Sequence, residues 1–132
     1  MGIQENDLTF TACAWNDEAA AMIAPLVHPL IKDEFKAGVD AGRLTLWKVE
    51  GEGWQTWLVT KIIQFQGGHV ELVLEVIAGS HARQIVRTLQ EKVKPLGVNS
   101  MLFETHHPEK VAARLVGCLG FKRTATKFRA QL

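Results

Sequence analysis

A change of apolar period near residue 80 constrains this chain more than any other feature. Before it, three apolar stretches at 44–50, 54–65 and 69–77 read as strands. They are separated by Gly51-Glu52-Gly53 and Gln66-Gly67-Gly68. Tight hairpins need residues that tolerate positive φ, and glycine does, so an antiparallel meander is expected. In the second stretch Leu58 and Ile62 fall on one face and Trp57, Val59 and Ile63 on the other. That pattern predicts a strand covered on both sides. After residue 80, Ala82, Ile85, Val86, Leu89 and Val93 recur at helical spacing and form one apolar face.

The flanking segments extend the pattern. Residues 8–14 alternate, with Leu8 and Phe10 against Thr9 and Thr11, and read as a first strand. Asn16 supplies a helix N-cap, and Asp17 and Glu18 suit the positive end of the helix dipole. The segment 17–35 is helical in character, but Pro25 and Pro29 should kink it or split it in two, and Gly38 and Gly42 close the region. Ser80 is expected to cap the helix over 80–94, with Pro95 disfavouring continuation and Gly97 just past its end. Residues 98–105 form a short apolar strand. Pro108 then opens a helix whose stripe is Val111, Ala112, Leu115 and Leu119, stopped by Gly120. Residues 121–132 are a final strand or pair of strands, carrying Lys122, Arg123, Lys127 and Arg129. The order β, broken α, β, β, β, α, β, α, β implies a mixed sheet with helices on both faces, an α/β (α+β mixed sheet) fold.

At 132 residues the chain has room for one domain, 1–132, with one continuous core. Fifteen basic residues against fourteen acidic ones give a formal charge of +1, which argues against a strongly basic nucleic-acid binder or an acidic tail. Cys13 and Cys118 form no CxxC pair and read as free thiols in a reducing compartment. The stretch MGIQENDLTF has no basic region followed by an apolar one, and no apolar run is long enough to span a bilayer. A soluble cytoplasmic protein, with no membrane partner, is the expectation.

Several local sequences fit a known pattern. Residues 113–121 read ARLVGCLGF and are followed by KRT, residues 102–105 read LFET, and the 80–94 helix ends just before Gly97. With the element order, these resemble the GNAT N-acetyltransferase superfamily over residues 70–123, with similar topology from residue 8. The resemblance implies a GNAT-like fold whose fourth and fifth strands splay apart. It implies an acyl-CoA-dependent N-acyltransferase that uses acetyl-CoA and no metal, acting on a small-molecule or protein amine. By the same resemblance Val76, Ile77, Gly79, Ser80, His81, Ala82 and Arg83 contact the cosubstrate. The family's pyrophosphate loop carries an Arg or Gln and then two spaced glycines. In the corresponding IAGSHAR at 77–83, Ile77 takes the Arg or Gln position, and Ser80 and Ala82 take the glycine positions. A helix N-terminus still attracts anions there, and Arg83 adds a positive charge. Many family enzymes protonate the departing thiolate with a tyrosine in the last helix. The matching residue here is Val116, and the chain has no tyrosine. A thiol pKa near ~8.5 makes the thiolate a tolerable leaving group, and losing a general acid costs about 10²–10⁴ in rate. Small degenerate GNAT-like proteins also occur in tailed bacteriophages, some as particle components. The resemblance therefore admits a second class, a catalytically inactive binding or structural protein in a virion, assembled with itself or a partner.

Amine acylation needs a base for the incoming ammonium and donors for the thioester oxygen. In the family the fourth strand supplies both. Glu71 and Glu75 lie on one face of the 69–77 strand, separated by Val73. A glutamate facing a covered sheet is expected to have a raised pKa and to serve as a base. The alternative is that both carboxylates reach solvent, and Glu75 is the better candidate because it is nearer the cosubstrate loop. His106 and His107 stand in the loop before Pro108, where His106 could touch a substrate; no neighbouring Cys or carboxylate has ligand spacing for zinc. Trp47, Trp54 and Trp57 could line an acceptor pocket, with Trp57 the candidate contact, or belong to the core. The basic residues 122, 123, 127 and 129 could bind an acidic partner, but read more ordinarily as an edge strand protected by charge.

Overall fold

The computed structural model describes residues 8–104, 122–124 and 127–132. The elements are β1 (Thr9–Cys13), α1 (Asp17–Ile23), α2 (Pro29–Asp40), β2 (Thr45–Gly51), β3 (Trp54–Gln64), β4 (Val70–Ala78), α3 (Ala82–Val93), β5 (Ser100–Glu104), β6 (Lys122–Thr124) and β7 (Lys127–Gln131). Short 3₁₀ turns follow α1 at Ala24–Leu26 and α3 at Lys94–Leu96. The expected helix over 108–119, together with His106, Val116, Cys118 and the Leu-Gly-Phe motif, lies outside the described residues.

Local chemistry accounts for the element boundaries. Asn16 caps α1, its Oδ1 accepting from the Ala19 amide at 2.9 Å, a contact worth about 1 kcal/mol. Pro25 sits in the 3₁₀ turn and Pro29 at the first turn of α2, so the two prolines split the 17–35 segment as expected. The two hairpin turns use glycines with positive φ, at Gly53 and at Gly67 and Gly68. One boundary differs from the sequence reading. Ser80 does not cap α3; the cap position is His81, in the left-handed conformation with φ 64°, and its side chain makes no capping bond. The Ser80 side chain instead stands 2.7 Å from His81 Nδ1.

The strands form one mixed sheet in the order β1-β2-β3-β4-β5-β7-β6. The meander β1 to β4 is antiparallel, β4 pairs β5 in parallel, and β7 returns antiparallel between β5 and β6. A parallel pair needs a crossover, and α3 supplies it. The edge at that end of the sheet is therefore β6, and Arg129 lies on an internal strand rather than on the charged edge that the sequence implied.

Two cores follow from the two faces. On one, Leu58, Leu72 and Leu74 pack against Ile85, Val86 and Leu89 of α3. On the other, Leu46, Trp57, Val59 and Val76 pack with Ala19 and Ile23 of α1 and Phe35 of α2. Each large apolar side chain so buried contributes about 1.5–3 kcal/mol. The expectation that β3 is covered on both faces holds from Thr56 to Thr60 and then fails, because Ile62 is 57% exposed beyond the C-terminal end of α3. No described helix is long and apolar enough to cross a membrane.

Candidate active site

The sheet changes character halfway along β4. From Glu71 to Leu74 the strand pairs with β5 residues Ser100 to Phe103, and the pairing stops at Leu74 and Phe103. At the same point the register with β3 shifts: Val59 faces Val76 while Thr60 faces Leu74, which leaves Glu75 as an extra residue. A bulge of this kind bends a strand and increases its twist. Beyond it, residues 75–78 keep β3 on one side and have no described strand on the other. Among the described residues the pairing of the fourth and fifth strands ends at Leu74 and Phe103.

Glu75 stands at this bulge. Its carboxylate is 3.2 Å from Lys61 Nζ, and its side chain is 14% exposed. It opens onto a cavity of about 310 Å³ beneath α2, lined also by Phe35, Gly38, Arg43 and Leu44. Val76, the next residue, is buried on the α1 and α2 side, and Ile77 turns to the α3 side.

The chain then enters a tight junction. Gly79 has φ 142°, and a Cβ there would lie 2.6 Å from Thr56 Oγ1 and 3.1 Å from the Thr56 backbone. Both the conformation and the close approach require glycine. Buried Thr56 fastens Ser80 twice: its hydroxyl donates to the Ser80 carbonyl at 2.7 Å and accepts from the Ser80 amide at 3.0 Å. His81 stacks on Trp54 with ring centroids 4.1 Å apart and planes 4° from parallel. These contacts hold the entry to α3 rigidly. The first-turn amides of Ala82, Arg83 and Gln84 precede the first helical bond, Ile85 to the His81 carbonyl, and no side chain caps them. The side chain of Arg83 is exposed beside them.

Glu71 occupies a different setting. Four residues of strand place it roughly 13 Å from Glu75, so the two carboxylates cannot serve one reacting amine. Arg129 donates to Glu71 from Nε at 2.7 Å and from a terminal nitrogen at 3.1 Å. The Ser100 hydroxyl donates to the same carboxylate at 2.7 Å, and His69 Nε2 lies 2.8 Å from Ser100 Oγ. Ser100 has one proton to give, which assigns His69 Nε2 as donor in the second bond. The expected rise in carboxyl pKa does not occur at Glu71. Burial, the largest single influence, raises it, but the hydrogen bonds from Arg129 and Ser100 and the charges of Arg129 and His69 together bring it below the usual carboxylate value. The hydrogen bond to Glu71 in turn raises the pKa of Arg129.

The structure therefore brings Glu75, Val76, Ile77, Gly79, Ser80, His81, Ala82 and Arg83 to one end of β4 and leaves Glu71 at the other. Trp57 is 4% exposed within the α1 and α2 core, so its ring has no free surface for the expected substrate contact. The sequence reading missed Thr56, Lys61, Ser100 and the Arg129 bond to Glu71. A polar residue in an apolar strand, as at Thr56 and Lys61, was the available signal; for Ser100 and Arg129 there was none, because their partner is 29 or 58 residues away. Among the described residues no group of three His, Cys, Asp or Glu side chains could hold a metal ion.

Neither a protein-family model nor a curated protein sequence matches the chain. Solved structures do. The NatC complex, bound to a Gag peptide and CoA, contains a chain that matches with TM-score 0.63 at 14% identity, over 95% of this chain and 98% of that one. A GNAT-family acetyltransferase, described as putative, from Desulfovibrio desulfuricans matches with TM-score 0.61 at 13% identity, over 94% and 98%. A GNAT-family acetyltransferase from Listeria monocytogenes matches with TM-score 0.55 at 9% identity, over 93% and 95%. The described part of the chain has the fold of these GNAT acetyltransferases.

Proposed function

We propose that this protein is an acyl-CoA-dependent N-acyltransferase that transfers an acetyl group to an amine. One observation carries the reading: the end of β4 and β5 pairing, the bulge at Glu75 and the uncapped start of α3 all fall at the same end of β4. Acetyl-CoA supplies an activated thioester. The first-turn amides of Ala82, Arg83 and Gln84 fit its pyrophosphate, with the Arg83 guanidinium adding charge. The backbone of residues 75–78, unpaired on the β5 side among the described residues, offers an N–H to the thioester oxygen. The Glu75 carboxylate takes the proton of the acceptor ammonium, and the freed amine bonds to the acetyl carbon. The C–S bond then breaks to release the CoA thiolate, a tolerable leaving group with its conjugate thiol pKa near ~8.5. The CoA bound to the NatC neighbour supports this class of donor.

A second reading, a GNAT-fold protein that binds a partner without catalysis in the cytoplasm or in a bacteriophage particle, is favoured by one contact. The Ser80 amide is spent on Thr56 and so is not offered to a phosphate. Calorimetry with acetyl-CoA separates the two. The transferase reading expects saturable binding, and at ~100 times the dissociation constant a stabilisation of about 2.7 kcal/mol against heat. No binding by the unmodified protein at millimolar acetyl-CoA would leave the fold as a scaffold.

A further inference from the structure

The face of the sheet that carries α3 is bare at one end. Beyond the last turn of the helix, Ile62 is 57% exposed and Leu96 is 80% exposed. Between them runs a groove of about 550 Å³. Its floor is Trp47, Thr60, Ile62 and Leu72, on three adjacent strands, and its wall is Leu89, Val93 and Leu96. The one indole N–H on the floor is already satisfied, since Trp47 Nε1 donates to Thr60 Oγ1 at 2.9 Å. A ligand therefore meets an apolar surface there.

The charges around the groove have one sign. Its charged lining residues are Arg43, Lys61 and Lys92, and no carboxylate lines it. Lys61 is paired with Glu75. Lys92 has a ring face for company, 5.7 Å from the Phe10 centroid. Arg43 makes no ion pair among the described residues. Among the described residues Arg43 and Lys92 thus have no ion-pair partner beside an apolar trough, although Arg43 also borders the cavity that holds Glu34 and Glu75. The negative end of the α3 dipole lies nearby and amounts to about half a charge, which two full charges outweigh.

We propose that this groove is a second binding site, for a small carboxylate with an apolar body. Arg43 and Lys92 hold the carboxylate, and Ile62, Leu72 and Leu96 take the body. The volume falls within the roughly 300–1,000 Å³ typical of small-molecule pockets. Guanidinium matches carboxylate with two parallel hydrogen bonds. An amine of the same shape would meet like charge. The groove is separate from the cosubstrate loop, because the twelve residues of α3 put roughly 18 Å between the helix ends, while Arg43 and Lys61 also line the Glu75 cavity on the other face.

The test titrates decanoate, decanol and decylamine, each below its aggregation concentration, into the full chain by calorimetry. Decanoate should bind at one site, roughly tenfold more tightly than decanol, and decylamine should not bind. The double variant Arg43→Gln, Lys92→Gln should lose the preference for decanoate over decanol. Ile62→Ser with Leu96→Ser should weaken both ligands, and at these exposed positions the melting temperature should stay unchanged. Decanoate should leave acetyl-CoA binding unaltered, so failure of either site is seen separately. Non-saturable decanoate binding, equal binding of decylamine, unchanged affinity in the variants, self-association through this face, or uptake onto anionic lipid vesicles instead would each overturn the proposal.

Discussion

The two halves of β4 carry the same residue type on the same face and use it differently. In the first half, Glu71 is enclosed between two paired strands and bound by Arg129 and Ser100. In the second half, Glu75 pairs with Lys61, and its strand has no described strand on the β5 side. The residue does not make the difference; the length of the adjacent strand does. Where β5 runs alongside, it brings Ser100 and, through β7, Arg129, and a buried carboxylate becomes a structural ion. Where the described pairing with β5 has ended, the carboxylate keeps a cavity beside it, and the proposed reaction uses it as the base.

This contrast can be broken most forcefully at Glu75. Glu75→Gln should lower the acetylation rate by about 10²–10⁴ while leaving acetyl-CoA affinity and melting nearly unchanged. Equal turnover in the variant removes Glu75 as the base. At the other half the effect should fall on stability. Arg129→Met leaves a buried carboxylate without its cation, a loss of about 3–5 kcal/mol where the pair is fully enclosed. Because Arg129 is 40% exposed, solvent screens the pair and about 2 kcal/mol is expected, read from urea unfolding. A loss indistinguishable from zero would mean that the network does not hold this end of the sheet.

The same network sets an acid limb. Glu71 has a folded-state pKa below its unfolded value, so its contribution is fully present above the ordinary carboxylate range and is lost as pH falls through the folded-state value. Glu71→Gln should flatten the loss of stability with falling pH, and an unchanged slope would exclude Glu71 as its source. The smallest effect is expected away from β4. Thr88 is buried on α3, and its hydroxyl has no hydrogen-bond partner among the described residues. Thr88→Val should raise stability by about 1 kcal/mol, and a destabilised variant would reveal a partner for that hydroxyl.

Much of the frame was legible from local chemistry. Asn16, Pro25, Pro29 and the turn glycines act through their own backbone, so their effects on element boundaries could be read without knowing what packs where. The stripe Ile85, Val86 and Leu89 likewise announced its buried face by period alone. Ser80 was misread because a serine before a helical stripe is ordinarily a cap, whereas here Thr56 from β3 takes its backbone and moves the cap to His81. For Trp57 the sequence leaves a pocket contact and the core both open, and the cover from α1 and α2, which lie 17 or more residues away, decides for the core.

Among the described residues, pattern by itself determined the order of strands and helices, the meander, the crossover helix and the placement of a glutamate pair on one face of β4. These depend on periodicity and on the conformational limits of glycine and proline, which act over a few residues. Only the tertiary structure decided that the described pairing of β4 with β5 ends at Leu74, that Glu75 is an extra residue in the register, and that Glu71 is spent on Arg129. Each depends on where a neighbouring strand ends or which side chain arrives from 29 to 58 residues away. Pairing across a sheet is settled by the competition of whole faces for burial, and no local period encodes its outcome.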